Sequence, residues 1–89
     1  MPFFFDGVWK GMWSGNESTE ITIVGNKAVQ YIYKAERGAG NYRSKVVERT
    51  FEFGNDHMTI TMSLIGPDRA VAHYRNVKGQ SATATLTRQ

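Results

Sequence analysis

The chain has no cysteine among its 89 residues, which excludes disulfides and thiolate metal sites from the outset. It has only two prolines, and no stretch approaches the ~20 apolar residues of a membrane helix. A helix-length apolar period of 3.6 residues is also missing, as are internal repeats and low-complexity tracts. Charge of one sign is not in large excess. Eleven Lys and Arg against eight Asp and Glu leave a net charge of +3, with Glu17, Glu20, Glu36, Glu48, Glu52, Asp56 and Asp68 interleaved among the basic residues. A phosphate-binding footprint would be one-sided; the nearest approach, Arg37, Arg43, Lys45 and Arg49, reads as a solvated face. Met1-Pro2-Phe3-Phe4-Phe5-Asp6 carries no basic leader and too short an apolar run for a signal peptide, so the expectation is a cytoplasmic protein with no membrane partner.

What is present is β-structure. The length suits one domain, able to bury roughly 60–65% of its unfolded surface. Glycines and other turn formers recur at about ten-residue intervals, the rhythm of a meander. Between them lie runs rich in Thr, Val, Ile, Tyr and Phe that alternate with period two, predicting strands at 7–13, 19–24, 27–34, 42–46, 49–53, 57–65, 69–77 and 81–88. The predicted turns are Gly25-Asn26, Gly54-Asn55-Asp56, Gly66-Pro67-Asp68 and Lys78-Gly79-Gln80. The one long connection, Ala35–Asn41, has room for a helical turn at most.

Alternation assigns faces. Met58, Ile60, Met62 and Leu64 share one side of their strand; Ala70, Ala72 and Tyr74 share one side of the next, opposite Arg69, His73 and Arg75. A three-residue turn at 78–80 would set Tyr74 opposite Ala84 and Ala72 opposite Leu86, and would carry Arg88 inward beside Ala70. The Gly25-Asn26 hairpin is ambiguous. A plain two-residue turn puts Ala28, Gln30 and Ile32 inside and Val29, Tyr31 and Tyr33 outside; a bulge at Asn26 or Lys27 reverses the tyrosines, and that arrangement is preferred because it leaves no exposed aromatic stripe.

The two chain ends decide between a sandwich and a barrel. Trp9, Gly11 and Trp13 share a face, and counting strand directions brings Trp9 to the same end as Arg88. A guanidinium over an indole is favourable by about 0.5–2 kcal/mol, and its donors can serve carbonyls at the barrel floor. Closure also removes sheet edges. The fold class expected is therefore all-β, a single antiparallel up-and-down meander of about eight short strands closed into a small barrel.

Gly7-Val8-Trp9 in the first strand and Arg88 in the last resemble the opening and late basic residue of the calycins, the group that includes lipocalins, fatty-acid-binding proteins and avidins. The resemblance implies a closed end where these residues pack and a ligand site at the open end. Lipocalins and avidins are considerably longer, so a deep cavity of their kind is not implied. The closing Ser-Ala-Thr-Ala-Thr-Leu-Thr-Arg strand is also similar to those of small bacterial β-barrel proteins, which imply no function.

With Trp9 and Arg88 at the floor, Ser14–Ser18, Ala35–Asn41, Gly54–Asp56 and Lys78–Gln80 gather at the mouth. Loops on a rigid frame are where sites usually lie. The candidate ligand-binding residues are Trp13, Tyr33, Phe53, Met58 and Tyr74 for stacking and contact area, with Arg43 and Asn76 to orient a polar or anionic group. The expected partner is a small apolar or aromatic molecule. The competing reading is that these side chains fill the barrel solidly, since eight strands enclose little free space.

Other chemistry has no warrant. His57 and His73 fall on outer faces with no carboxylate at ligand spacing, no serine marks a strained turn, and Gly38-Ala39-Gly40 precedes no helix, so no metal, cofactor or catalytic residue is expected. Asn16-Glu17-Ser18 matches a glycosylation sequon without a secretory context. Phe3-Phe4-Phe5 must either plug the floor or cover an outer stripe. Together with outward Val8, Met12, Val24, Val71 and Val77, it suggests a homodimer or higher oligomer. An interaction module with a solid core is thus the alternative function. Single-stranded nucleic-acid binding, with Tyr42 as a stacking platform, is a more distant one.

Overall fold

The computed structural model describes residues 5–14, 16–33, 36–37 and 42–89. These form one antiparallel sheet: β1 (Gly7–Trp13), β2 (Glu17–Val24), β3 (Lys27–Tyr33), β4 (Glu36–Arg37), β5 (Arg43–Val47), β6 (Thr50–Gly54), β7 (Met58–Gly66), β8 (Arg69–Asn76) and β9 (Ser81–Arg88). The spatial order is β4-β3-β2-β1-β9-β8-β7-β6-β5, a meander whose first and last strands are neighbours. The chain is therefore all-β, with eight substantial strands curled into a nearly closed barrel. The two-residue β4 pairs with the end of β3 where the sequence suggested at most a helical turn; the rest of that connection, including Ala35 and residues 38–41, lies outside the described residues.

Among the described residues, β3 and β5 approach each other without a backbone ladder and form the barrel's seam. A side chain bridges it: the Ala28 amide donates to Ser44 Oγ at 2.9 Å.

Closure of β1 on β9 follows from particular residues. Trp9 lies directly opposite Arg88 in the β1–β9 ladder. The guanidinium carbon sits 4.6 Å from the centroid of the fully buried Trp9 ring. Arg88 Nη1 donates to the Asp6 carbonyl at 3.0 Å, Nη2 donates to the Pro67 carbonyl, and Nε pairs with Asp68 Oδ1 at 3.0 Å. Gly7 is required here on two counts. Its φ of +133° suits no other residue, and a Cβ would stand 2.8 Å from Arg88 Cδ.

Phe5 completes the floor. Its ring is fully buried, 5.4 Å from Phe51 and 6.4 Å from Trp9, and its carbonyl accepts from Trp9 Nε1 at 2.8 Å. One ring of the phenylalanine run thus plugs the closed end; Phe3 and Phe4 lie outside the described residues. Above the floor, Ile21, Ile23, Phe51, Phe53, Ile60, Met62 and Leu86 fill the interior. Each such side chain contributes roughly 1.5–3 kcal/mol by leaving water. Buried Ala70, Ala72 and Ala84 supply the small neighbours that let large rings share a narrow barrel.

Two registers differ from the sequence reading. Tyr74 pairs with Ala82, Ala72 with Ala84 and Ala70 with Leu86, two residues from the predicted alignment, so Arg88 lies beyond Ala70 rather than beside it. The cause is a turn centred one residue earlier than predicted. Asn76 Oδ1 accepts from both the Lys78 and Gln80 amides at 3.0 Å, the Asn76 amide donates to the Gln80 carbonyl at 3.1 Å, and residues 77–79 loop out. Because the slip is an even number, every side chain keeps its face. In the β2–β3 hairpin, Gly25 and Asn26 form a turn with φ of 59° and 60°, as a two-residue loop demands, and Asp6 accepts from both their amides at 2.8 and 2.9 Å. The bulge falls at Val29, not at Asn26 or Lys27: Ile23 pairs with Ala28 and Thr22 with Gln30, leaving Val29 extra and exposed. Beyond the bulge the phase reverses, so both Ala28 and Tyr31 are buried.

Candidate functional site

At the end opposite Trp9, the strand termini enclose a cup of about 510 Å³. Trp13 ends β1, Glu17 opens β2, Tyr31 and Tyr33 end β3, and Met58 opens β7; Tyr74 lies near the end of β8, and Ser81 and Ala82 open β9. Its volume falls within the range of small-molecule sites. Below it lie the buried side chains of the core, among them Phe53, Ile60 and Met62.

The walls are aromatic. Trp13 packs edge-on to Tyr74, with centroids 5.9 Å apart at 62°. Tyr31 stands edge-on to Phe53 at 6.0 Å and to Tyr42 at 6.2 Å, and Tyr42 meets Phe53 at 5.6 Å. These T-shaped contacts brace Tyr31 from behind. Tyr33 is 36% exposed at the rim, where its hydroxyl donates to the Glu17 carboxylate.

Polar groups meet at the base. Thr19 Oγ1 donates to the Ile32 carbonyl at 3.1 Å and lies beside the Tyr31 hydroxyl. Trp13 Nε1 is buried and makes no hydrogen bond of normal geometry among the described residues, although the Tyr31 hydroxyl is near enough to feel it. A buried donor left unpaired costs about 1–3 kcal/mol.

The predicted ligand-binding residues separate into groups. Trp13, Tyr33, Met58 and Tyr74 line the cup together. Phe53 is buried one layer behind, against Tyr31 and Tyr42. Asn76 sits at the rim, where its Nδ2 reaches the Tyr74 hydroxyl at 3.4 Å and Gln80 Oε1 at 2.7 Å while its Oδ1 holds the turn. Arg43 points away from the cup and pairs with Asp56 at 2.8 Å on the exposed surface. Sequence reasoning missed Glu17, which a position just before the predicted second strand assigned only to a loop. Tyr31 depended on the bulge, whose place no residue signals. Tyr42 is buried among rings, so it presents no open stacking face. His57 and His73 are exposed, and no group of three metal-ligating side chains occurs among the described residues.

Burial pushes the Tyr31 hydroxyl up to about 12, opposed in part by Thr19 and Trp13. Tyr33 is raised chiefly by its hydrogen bond to the Glu17 carboxylate, and Tyr42 by burial. All three therefore remain neutral hydroxyls at physiological pH. Because the folded value for Tyr31 exceeds the unfolded one, its contribution to stability is complete below pH 10 and is lost as pH rises towards 12. The expected loss is about 2–3 kcal/mol across that window. Urea unfolding at stepped pH should show it, and Tyr31→Phe should flatten the decline; an equally steep decline in the variant would count against this assignment.

No known protein family, curated protein or solved structure matches this chain.

Proposed function

We propose that this barrel binds a small, partly apolar molecule in the cup at its mouth. The observation that carries the reading is the aromatic basin itself: Trp13, Tyr31, Tyr33 and Tyr74 line a space of about 510 Å³ at the mouth. A ligand there would cover the exposed parts of Tyr33 and Tyr74 and could offer a partner to the buried Trp13 indole N–H. Rings offer contact area with little side-chain entropy to lose. A site at that end is also what the resemblance to calycins implies. No chemical step is implied by the residues in the cup, so the reading is binding and not catalysis.

A second reading draws on the opposite end. Val24, Val47 and Ile65 are each more than half exposed, and all three sit at hairpin tips around the floor. Self-association through that end would cover them and is compatible with an open cup.

Native mass spectrometry of the protein isolated from its own source tests both. A reproducible extra mass of small-molecule size on each chain, lost in Tyr74→Ala, is the result expected for the cup. Tyr74 is only half buried, so that variant should stay folded while its ligand affinity falls roughly tenfold. A bare mass at a fixed multiple of the chain would favour assembly through the floor and count against a retained ligand.

A further inference from the structure

We infer that the outer face of β7, β8 and β9 is a second binding site, a groove that takes the phosphate backbone of a single-stranded nucleic acid. It does not depend on the cup.

The even mixture of charge along the whole chain conceals a division within it. Residues 1–56 carry seven basic and seven acidic side chains, and residues 57–89 carry four basic and one acidic, so the net charge of +3 belongs to the last three strands and their turns. Those strands are neighbours in the sheet. Their single acidic residue, Asp68, sits in the turn between β7 and β8 and is paired with Arg88 at 3.0 Å.

The strand ladders arrange what remains. On the outer face Arg75 lies between Thr59 and Ser81, and His73 lies between Thr61 and Thr83. Further towards the floor, Arg69 lies opposite Thr87. A row of nitrogen donors on β8 is thus flanked by hydroxyls from both neighbouring strands. Arginine forks and Ser or Thr hydroxyls are the groups that proteins turn towards phosphate oxygens. Arg69, His73 and Arg75 are exposed, and none of them forms an ion pair among the described residues. The rungs of Arg75 and His73 line a groove of about 860 Å³. Glu52 is the one carboxylate among its described lining residues; it stands at the far edge on β6, directly opposite Lys45 in the β5–β6 ladder.

The spread of these donors chooses among anions. Arg69 and Arg75 are six residues apart on one strand, about 20 Å, so they cannot close on a single phosphate. A chain of phosphates reaches both. No phenylalanine, tyrosine or tryptophan stands on the outer face of the three strands, so bases find no platform there and the contact is with the backbone, indifferent to sequence. An anionic bilayer is a poorer match, because between Arg69 and Arg75 the β8 row offers lipid only the half-buried Val71.

The test uses the full chain and a fluorescein-labelled oligothymidylate about fifteen nucleotides long, followed by fluorescence anisotropy. Binding is expected with a dissociation constant on the order of 100 μM at low salt. Its logarithm should change with the logarithm of salt concentration with a slope of about 1.4–2, the value for two or three phosphate contacts to a single strand. Arg75→Gln and Arg69→Gln should each weaken binding roughly fivefold and lower that slope by about 0.7. Arg43→Gln removes the same charge from another face and should leave binding unchanged. Circular dichroism melting curves check that the variants stay folded. The inference is overturned if the oligonucleotide fails to bind at millimolar protein, or if Arg43→Gln weakens it as much as Arg75→Gln, which would mean attraction by overall charge. It is also overturned if thymidine monophosphate competes as well, mole for mole, as the oligomer, since the site would then hold one phosphate and not a strand. Binding of phosphatidylserine vesicles without binding of the oligonucleotide would overturn it in favour of a membrane.

Discussion

Trp9→Ala is expected to remove most of the stability of this barrel. The Trp9 ring is fully buried, and truncating such a side chain costs about 3–5 kcal/mol. The same change strands the Phe5 carbonyl, which accepts from the indole at 2.8 Å, and takes the ring from beneath the Arg88 guanidinium. A domain of this length has about 4–13 kcal/mol in total, so the variant should be largely unfolded or close to it. Arg88→Met should cost less, because the methionine stem retains some packing while the contacts to Asp6, Pro67 and Asp68 are lost. Urea unfolding of both single variants and the double variant gives the coupling between the two residues. A coupling of about 0.5–2 kcal/mol is expected. Loss of less than about 1 kcal/mol in Trp9→Ala would show that the closed end is not what holds the sheet in a barrel.

The second large effect is expected at Gly11, in the middle of β1. A Cβ there would lie 2.3 Å from the Thr85 carbonyl oxygen and 2.7 Å from Leu86 Cδ2. The first of these is backbone of the paired strand and cannot swing aside, so β1 and β9 would have to separate at the point where the barrel closes. Gly11→Ala should therefore cost about 3 kcal/mol or more, a fall in melting temperature of roughly 12–24 °C. Gly25→Asn is the control. Its φ of 59° is one that asparagine tolerates, and nothing lies within 4 Å of its would-be Cβ, so its melting temperature should change little. If Gly11→Ala melted where Gly25→Asn does, the close approach of β1 and β9 would not be a constraint on this fold.

The residues that could be read correctly from the sequence are those whose signal is local. The alternation in β7, β8 and β9 assigned Ile60, Met62, Ala70, Ala72, Ala84 and Leu86 to one face, and each is buried. Gly25-Asn26 was legible as a turn because few residue pairs adopt positive φ twice, but the bulge preferred there lies at Val29 instead. Much of the cup was legible for the same reason: Trp13, Met58 and Tyr74 follow from face and strand direction alone. Arg43 was less tractable. Its placement depends on which way an exposed strand end turns its side chain, and a carboxylate from another loop, Asp56, decides that.

Two features needed the folded chain. The bulge at Val29 inserts a residue into the β2–β3 ladder and so brings both Ala28 and Tyr31 inward, but valine there has no distinguishing chemistry. The turn at 77–79 rests on Asn76 Oδ1 gathering two amides, a contact that a count of turn residues does not contain. What the sequence determined by itself was the class of the fold, the faces of β1, β7, β8 and β9, and the meeting of Trp9 with Arg88. Those follow from period-two patterning, which any register shift by an even number leaves intact. Tertiary structure alone decided the registers, the bulge, the seam between β3 and β5, and the juxtaposition of Glu17 with four aromatic rings. Each of these depends on contacts between residues far apart in the chain, whose energies are comparable with those of the nearest alternatives until the whole barrel has closed.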